Sequence, residues 1–223
     1  MTNTWATHPM AHSLLLFNAL PSRLLHASRW AALLPFGKPA EISEAQWIRH
    51  SSTLLLPDLD REPVLRLDHP ALPLAMLPEP SFNQLLLWCG TLLLAPSIAR
   101  VISRPDVQAL TQQLGQDTVN FALYQAPALL KMTFESQAGF AFSVGQAGEK
   151  ATALGTALLA SAFATAPAGI AQRGLLRLPA EGTFNPIALP QAAFNNTAKA
   201  LTLARSITDL LEPQWLSSFP TTS

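Results

Sequence analysis

The feature that most constrains this chain is an apolar run near its middle. No charged side chain occurs from residue 80 to residue 99, and the most apolar part, LLLWCGTLLLA, covers residues 85–95. A membrane-spanning helix needs about 20 predominantly apolar residues. Polar residues before this run and Pro96 after it leave a segment too short to span a bilayer. Its leucines and Trp88 would cover every face of a helix, which predicts a buried core helix and no direct membrane insertion.

A second uncharged stretch, ATALGTALLASAFATAPAGIAQ at residues 151–172, consists mainly of Ala, Thr, Gly and Ser. Such small side chains gain little from lipid, but they allow another helix to approach closely. Pro167 also divides the stretch. We therefore predict an Ala-rich helix over about residues 149–166 that packs against a neighbouring helix.

The composition argues against several classes of partner. Charged residues make up 13% of the chain, about half of the usual share, and the 14 basic side chains balance the 14 acidic ones. A neutral chain has no electrostatic reason to bind nucleic acid or an anionic membrane surface. The hydrophobic content of 49% indicates either apolar surface that another protein covers or a monomer with a large core.

Cysteine content and the N-terminal sequence favour a cytoplasmic protein. Cys89 is the only cysteine, so an internal disulfide and a multi-cysteine zinc site are excluded. Because it lies within the leucine-rich run, we expect it to be buried rather than reactive. The N-terminus lacks the basic start and the long apolar run of a secretory signal. These features together predict the cytoplasm.

The pattern of prolines and helix-start signals predicts a mainly α fold. We expect an irregular multi-helix domain with proline-rich connections and one or two short strands. This single domain is assigned to residues 13–212, between a flexible tail at 1–12 and a C-terminal tail at 213–223. Within it, residues 57–80 contain six prolines, which predict an extended segment wrapped over the domain. A short strand is predicted at PVLRLD, residues 63–68.

Helix boundaries follow from capping residues and from apolar spacing. Ser81 and Ser103 are suitable N-caps, Gly115 is a suitable helix end, and Pro96 and Pro127 are expected to separate helices. The predicted helices cover residues 21–37, 41–56, 81–95, 96–103, 103–115, 116–126, 128–134, 149–166 and 189–213.

One glycine-rich segment suggests an enzymatic alternative. GQAGEKAT, from Gly145 to Thr152, resembles a phosphate-binding loop, in which a glycine directly precedes the lysine. Here Glu149 precedes Lys150, and its carboxylate would repel phosphate. We interpret the segment as a loop that leads into a helix. A small hydrolase or nucleotide-binding enzyme that uses Gly145–Thr152 remains the alternative function.

Other chemical motifs are incomplete. AFSVG at residues 141–145 partly resembles a hydrolase nucleophile elbow around Ser143, but in that fold the histidine follows the serine. All histidines precede residue 70: His8, His12, His26, His50 and His69. None of them is paired with a second ligand at a spacing, and in a local structure, that would favour metal binding. The sequence therefore assigns no catalytic, cofactor-binding or metal-binding residue, and it leaves the partner-binding residues unknown.

Three blocks occur in an order typical of one protein family. They are LLLFNALPSRLLHAS at residues 14–28, the segment from LPEPSFNQLLLWCG to RPDVQAL at residues 77–110, and RGLLRLP at residues 173–179. Together they resemble the type III secretion sorting-platform protein K family, the SctK/YscK type, from about residue 14 to residue 211.

The resemblance implies a non-enzymatic, mainly helical adaptor without a cofactor. Such a protein would lie in the cytoplasm, at the cytoplasmic face of the inner membrane. It would link the cytoplasmic domain of the inner-membrane ring protein to the pod (C-ring-like) protein of the sorting platform. Through the pod protein it would be joined indirectly to the secretion ATPase and its stalk protein. The resemblance implies no catalytic residues.

Overall fold

The computed structural model describes residues 10–33, 35, 37–57, 59, 63–133, 140–180 and 197–220. All regular secondary structure in these residues is helical, so the mainly α fold class is confirmed. The short strand predicted at residues 63–68 does not form. Val64 has its backbone N–H and C=O bonded to the side chain of Asn18, and no second strand is paired with it among the described residues.

The described helices differ in length from four to twenty residues. In chain order they are α1 Ala11–Ala19, α2 Ala27–Leu33, α3 Glu44–Leu55, α4 Leu72–Ala75, α5 Glu79–Ile98, α6 Arg104–Leu114, α7 Gln116–Asn120, α8 Ala126–Thr133, α9 Ala147–Phe163, α10 Ala168–Leu176, α11 Thr197–Leu211 and α12 Pro213–Ser217. Two 3₁₀ turns, Pro21–Leu24 and Val144–Gln146, precede α2 and α9, and a π-turn, Phe121–Gln125, joins α7 to α8.

Local capping signals determine where α3 and α6 begin. The Ser43 hydroxyl accepts a hydrogen bond from the Gln46 N–H, and the Gln46 side chain accepts one from the Ser43 N–H, which forms a complete capping box. Ser103 caps α6 in the same way, by accepting from the Asp106 N–H at 3.2 Å. Gly115 follows α6 with a φ of 82°, a conformation that glycine adopts without strain. The predicted start and end of α6 are thus confirmed.

The predicted core helix is present but longer than expected. It begins at Glu79 rather than at Ser81, and it continues through Pro96 to Ile98, where we expected a new helix. A proline in the last turn removes one N–H···O=C bond, while the next turn closes through Ala99 N–H to Ala95 O at 2.9 Å. By length and composition, α5 could cross a membrane. However, 67% of the apolar 18-residue stretch within it is buried inside the protein.

Pro127 likewise lies inside a helical stretch and not between two helices. The chain is helical from residue 116 to residue 133, with the π-turn directly before Pro127. Proline cannot donate a hydrogen bond, and its ring would clash with the carbonyl four residues earlier in a regular α-helix. At the end of the π-turn, directly before Pro127, the Ala126 N–H donates to the Phe121 carbonyl five residues earlier. Trp88 of α5 stacks on Phe121 of the π-turn with ring centroids 4.2 Å apart.

The centre of the protein is a close antiparallel contact between α5 and α9. Gly90 lies against Ala151, and Leu86 lies against Gly155, so that the two backbones touch. A Cβ added at Gly90 would overlap the Ala151 carbonyl and lie 2.8 Å from the Gly155 nitrogen. The small residues of α9 therefore allow the close approach of a neighbouring helix that the sequence predicted. α9 itself begins at Ala147 and ends at Phe163, near the predicted limits.

α11 covers α9 and α5 on another side, with Leu203, Ala204 and Ile207 buried. Some described residues fall within the ranges predicted to be tails. α12 and the buried Phe219 lie within the predicted C-terminal tail, and α1 begins at Ala11, inside the predicted N-terminal tail. Their apolar side chains complete the core. The local sequence does not show that these side chains are buried. Residues 1–9 and 221–223 lie outside the described residues, as does the predicted start of the last helix.

Candidate interaction surfaces

An open, largely apolar groove of about 510 Å³ lies beside the proline-rich segment. One wall is formed by residues 63–70, and the other by Pro167 and the first turn of α10. Its apolar lining comes from Pro63, Val64, Leu65, Pro70, Pro167 and Ile170. We refer to it as the proline groove. Leu65 is 60% exposed.

A side-chain clamp holds the first wall in place. Asn18 of α1 accepts a hydrogen bond from the Val64 N–H at 2.8 Å and donates one to the Val64 carbonyl at 2.9 Å. The Val64 side chain is buried in the core. Because both backbone groups of Val64 are satisfied by one asparagine, the segment is fixed on α1 without being part of a sheet.

The second wall is held by a buried arginine. Arg173 of α10 is only 2% exposed. Its Nε donates to the Phe17 carbonyl at 3.2 Å, and its Nη1 donates to the Gly169 carbonyl at 3.0 Å. The guanidinium therefore joins the first turn of α10, which lines the groove, to α1, which holds the opposite wall.

A second arginine, Arg177, anchors the end of α10 to α4 and α5. It donates to the carbonyls of Ala75 and Leu77 at 2.8 and 2.5 Å, and its guanidinium carbon lies 3.8 Å from the centroid of the Phe82 ring. Burial away from water lowers the pKa of Arg177, and the nearby Glu79 carboxylate partly offsets this effect. The two arginines of the RGLLRLP block thus have a structural role.

One apolar side chain is highly exposed beyond the other end of α5. α9 runs antiparallel to α5, with Gly155 against Leu86, so the end of α9 at Phe163 and the groove residue Pro167 that follows it lie towards the N-terminal end of α5. Ile102 follows the C-terminal end of α5 and is 91% exposed. A helix of this length spans about 30 Å at 1.5 Å per residue. On a third surface, the π-turn exposes 77% of Tyr124.

The geometry of Gly145–Thr152 does not favour the enzymatic alternative. Val144–Gln146 form a 3₁₀ turn, and α9 begins at Ala147, so this segment is helical rather than a loop that could surround a phosphate. The Thr152 hydroxyl donates to the Gly148 carbonyl at 2.8 Å, within the helix. The Ser143 hydroxyl donates to the Gln146 side chain at 3.0 Å.

Three of the remaining candidate residues, Cys89, His26 and His69, have structural settings. Cys89 is fully buried, and burial raises the pKa of its thiol, as expected for a core residue. His26 and His69 each accept a backbone N–H through Nδ1, from Ser28 and Ala71. In the part of the chain that the structure describes, no three His, Cys, Asp or Glu side chains form a cluster that could hold a metal. His8 lies outside that part.

A comparison of the chain with models of known protein families shows which family it belongs to. The family model described as YOP proteins translocation protein K (YscK) matches residues 16–213. The chain belongs to the YscK family. YscK proteins are secretion structural or sorting components and not a known enzyme family. The protein is therefore a component of a type III secretion system, located at the injectisome, where it interacts with other components. No curated protein and no solved structure matches the chain.

The proline groove was not predicted from the sequence. The six prolines of residues 57–80 are a signal for its first wall, because they indicate an extended surface segment. Its second wall, Pro167–Ile170, lies about 100 residues further along this YscK-family chain. No local pattern connects the two walls, so only the packing of α10 brings them together.

Proposed function

We propose that the protein is a non-enzymatic cytoplasmic adaptor of the type III secretion sorting platform. It links the cytoplasmic domain of the inner-membrane ring protein to the pod (C-ring-like) protein. Through the pod protein it is joined indirectly to the secretion ATPase and its stalk protein. The observation that carries this proposal is the match to the YscK family over residues 16–213.

The distribution of exposed apolar surface supports a linking role. A protein that joins two partners needs two separate contact surfaces. Because α9 runs antiparallel to α5, the Pro167 wall of the proline groove lies towards the N-terminal end of α5, and the exposed Ile102 follows its C-terminal end. The close contact between α5 and α9 supports a constant distance between these two ends, since tightly packed interiors deform little. We therefore assign the adaptor's two contacts to opposite ends of α5, at the cytoplasmic face of the inner membrane and without insertion into lipid.

The decisive experiment is reconstitution of a ternary complex from purified components. The full chain would be mixed with purified pod protein, with the purified cytoplasmic domain of the ring protein, and with both. Size-exclusion chromatography with light scattering should show two binary complexes and one ternary complex. A chain that binds neither protein would refute the adaptor function. A chain for which the two proteins compete would refute the linking role.

A further inference from the structure

We propose that the free guanidinium edge of Arg177 binds the carboxylate of an Asp or Glu side chain of one of the adaptor's two partners. The inference rests on the proposed adaptor function, because it specifies the chemistry of one contact near the N-terminal end of α5. Three observations carry it: the donors of Arg177 that have no acceptor, the two clefts that lead to this residue, and the balance of charge around it.

Arg177 is buried, but only part of its guanidinium is hydrogen-bonded. The residue is 6% exposed, and the two hydrogens of its Nη1 are matched by two acceptors, the carbonyls of Ala75 and Leu77. Its Nε and Nη2 have no hydrogen-bond partner among the described residues. In those residues, the side-chain nitrogen and oxygen atoms that are both sealed from solvent and without a partner belong to Trp88 and Thr91. Nε and Nη2 of Arg177 are therefore open to solvent, although the residue as a whole is buried.

Two clefts meet at Arg177. One, of about 350 Å³, is bounded by residues 22–27 and by the start of α5, and the other, of about 280 Å³, is bounded by α1 and by residues 76–79. Four residues line both of them: Arg23, Leu24, Glu79 and Arg177. A side chain of another protein can therefore approach the guanidinium without any movement of the fold.

The free donors of Arg177 form a fork that matches a carboxylate. The Nε–H and one N–H of Nη2 are parallel and lie on the same edge of the planar guanidinium, so they can donate to the two oxygens of one carboxylate. The protein already uses this edge elsewhere: Arg66 donates from Nε to Asp68 Oδ1 at 3.2 Å and from Nη2 to Asp68 Oδ2 at 2.7 Å. An acidic side chain would complete the hydrogen bonding of Arg177 in the same way.

The charge around the fork favours a ligand with a single negative charge. Burial lowers the pKa of Arg177 to about 9, so the side chain is still positively charged at neutral pH. Arg23 adds a second positive charge, and Glu79 one negative charge, but within the described residues no ion pair joins Glu79 to either arginine. The other acid of the clefts, Glu44, is paired with Lys38 at 3.5 Å. One carboxylate would balance the remaining positive charge, whereas a doubly charged phosphate would exceed it.

The test uses two substitutions at the fork and one matched control. Arg177→Lys keeps the positive charge and a donor for the Ala75 and Leu77 carbonyls, but it lacks the fork. Glu79→Gln removes the competing negative charge at an exposed position. Asp209→Asn, also exposed but on α11 and outside the cleft linings, is the control. Affinities would be measured for each full-length variant with the purified pod protein and with the purified ring-protein domain, and circular dichroism would verify that each variant is folded.

We expect Arg177→Lys to weaken binding of one partner at least about tenfold, and to leave the other partner unaffected. Glu79→Gln should strengthen binding of the same partner about threefold, because a negatively charged ligand is no longer repelled. This gain cannot arise from a loss of folding. Asp209→Asn should remain within about twofold of the wild type.

Nuclear magnetic resonance of the wild type, labelled with ¹⁵N-arginine, would detect the contact directly. The Nε–H resonance of Arg177 is assigned by its absence from the spectrum of Arg177→Lys. It should shift when the partner identified by the affinities is added, and it should stay in place when the other partner is added.

Three results would overturn the inference in distinguishable ways. If wild type binds both partners, and neither Arg177→Lys nor Glu79→Gln alters either affinity, the fork takes no part in binding, although the adaptor function stands. If Glu79→Gln weakens binding of the partner that Arg177→Lys also weakens, the ligand is not an anion. If wild type binds neither partner, the adaptor function fails and this inference fails with it.

Discussion

Replacing Gly90 by alanine would test the close contact between α5 and α9 directly. The added Cβ would lie 2.5 Å from the carbonyl carbon of Ala151 and 2.8 Å from the nitrogen of Gly155. Real Cβ atoms do not approach other heavy atoms within 3.0 Å. The obstructing atoms belong to the backbone, so no side-chain rotation can remove the clash. The two helices must separate, and the leucines packed around the crossing must shift with them.

The expected loss of stability follows from two opposing effects. Overpacking a well-packed core costs about 1–3 kcal/mol and occasionally more, and a clash with backbone belongs at the upper end. Alanine is more favourable than glycine in a helix by at most about 1 kcal/mol, which offsets part of that cost. We expect a net loss of about 2–3 kcal/mol in the free energy of unfolding. For a chain of this length, this corresponds to a decrease in Tm of about 4–12 °C.

The assay is urea unfolding followed by circular dichroism and tryptophan fluorescence, with Gly145→Ala as the control. A Cβ at Gly145 meets no atom within 4 Å, so this variant should stay within about 0.5 kcal/mol of the wild type. Gly155→Ala should behave like Gly90→Ala. The double variant should lose less than the sum of the two, because the first substitution already separates the helices. A Gly90→Ala protein as stable as the wild type would refute the close contact.

Three further predictions concern charge and chemistry. Burial lowers the pKa values of His26 and His69 below 6.5, so the unfolded chain binds more protons at mildly acidic pH; stability should fall as the pH decreases below about 6.5, and urea unfolding at pH 7 and pH 5 that shows no fall would contradict this. Arg177→Met should lower the free energy of unfolding by about 2 kcal/mol, because it leaves two carbonyls without their donor; equal stability in urea would argue against that role. Lys150→Ala should leave partner binding unchanged, and calorimetric titration of the wild type with ATP should detect no binding; ATP binding abolished by the substitution would instead support the enzymatic alternative.

The candidate interaction surfaces were harder to predict from the sequence than the fold. Proline content located the segment that forms one wall of the groove, and the neutral, apolar composition indicated partners of the protein class. The position of this segment depends on the clamp between Asn18 and Val64, which are 46 residues apart. The exposure of Tyr124 depends on the π-turn, and two helices separated at Pro127 were expected there.

The sequence by itself determined the helical class, the buried central helix and several helix ends. Capping boxes, helix-ending glycines and apolar spacing act between residues about four positions apart, so the local chain carries the complete signal. The tertiary structure alone decided that α5 continues through Pro96, that Arg173 and Arg177 are buried, and that a groove forms beside α10. These features depend on atoms far apart in the chain, such as the Arg177 guanidinium and the Leu77 carbonyl, which are separated by 100 residues. A buried charged side chain is stable only when tertiary packing supplies its hydrogen-bond acceptors. A local sequence pattern cannot predict those acceptors.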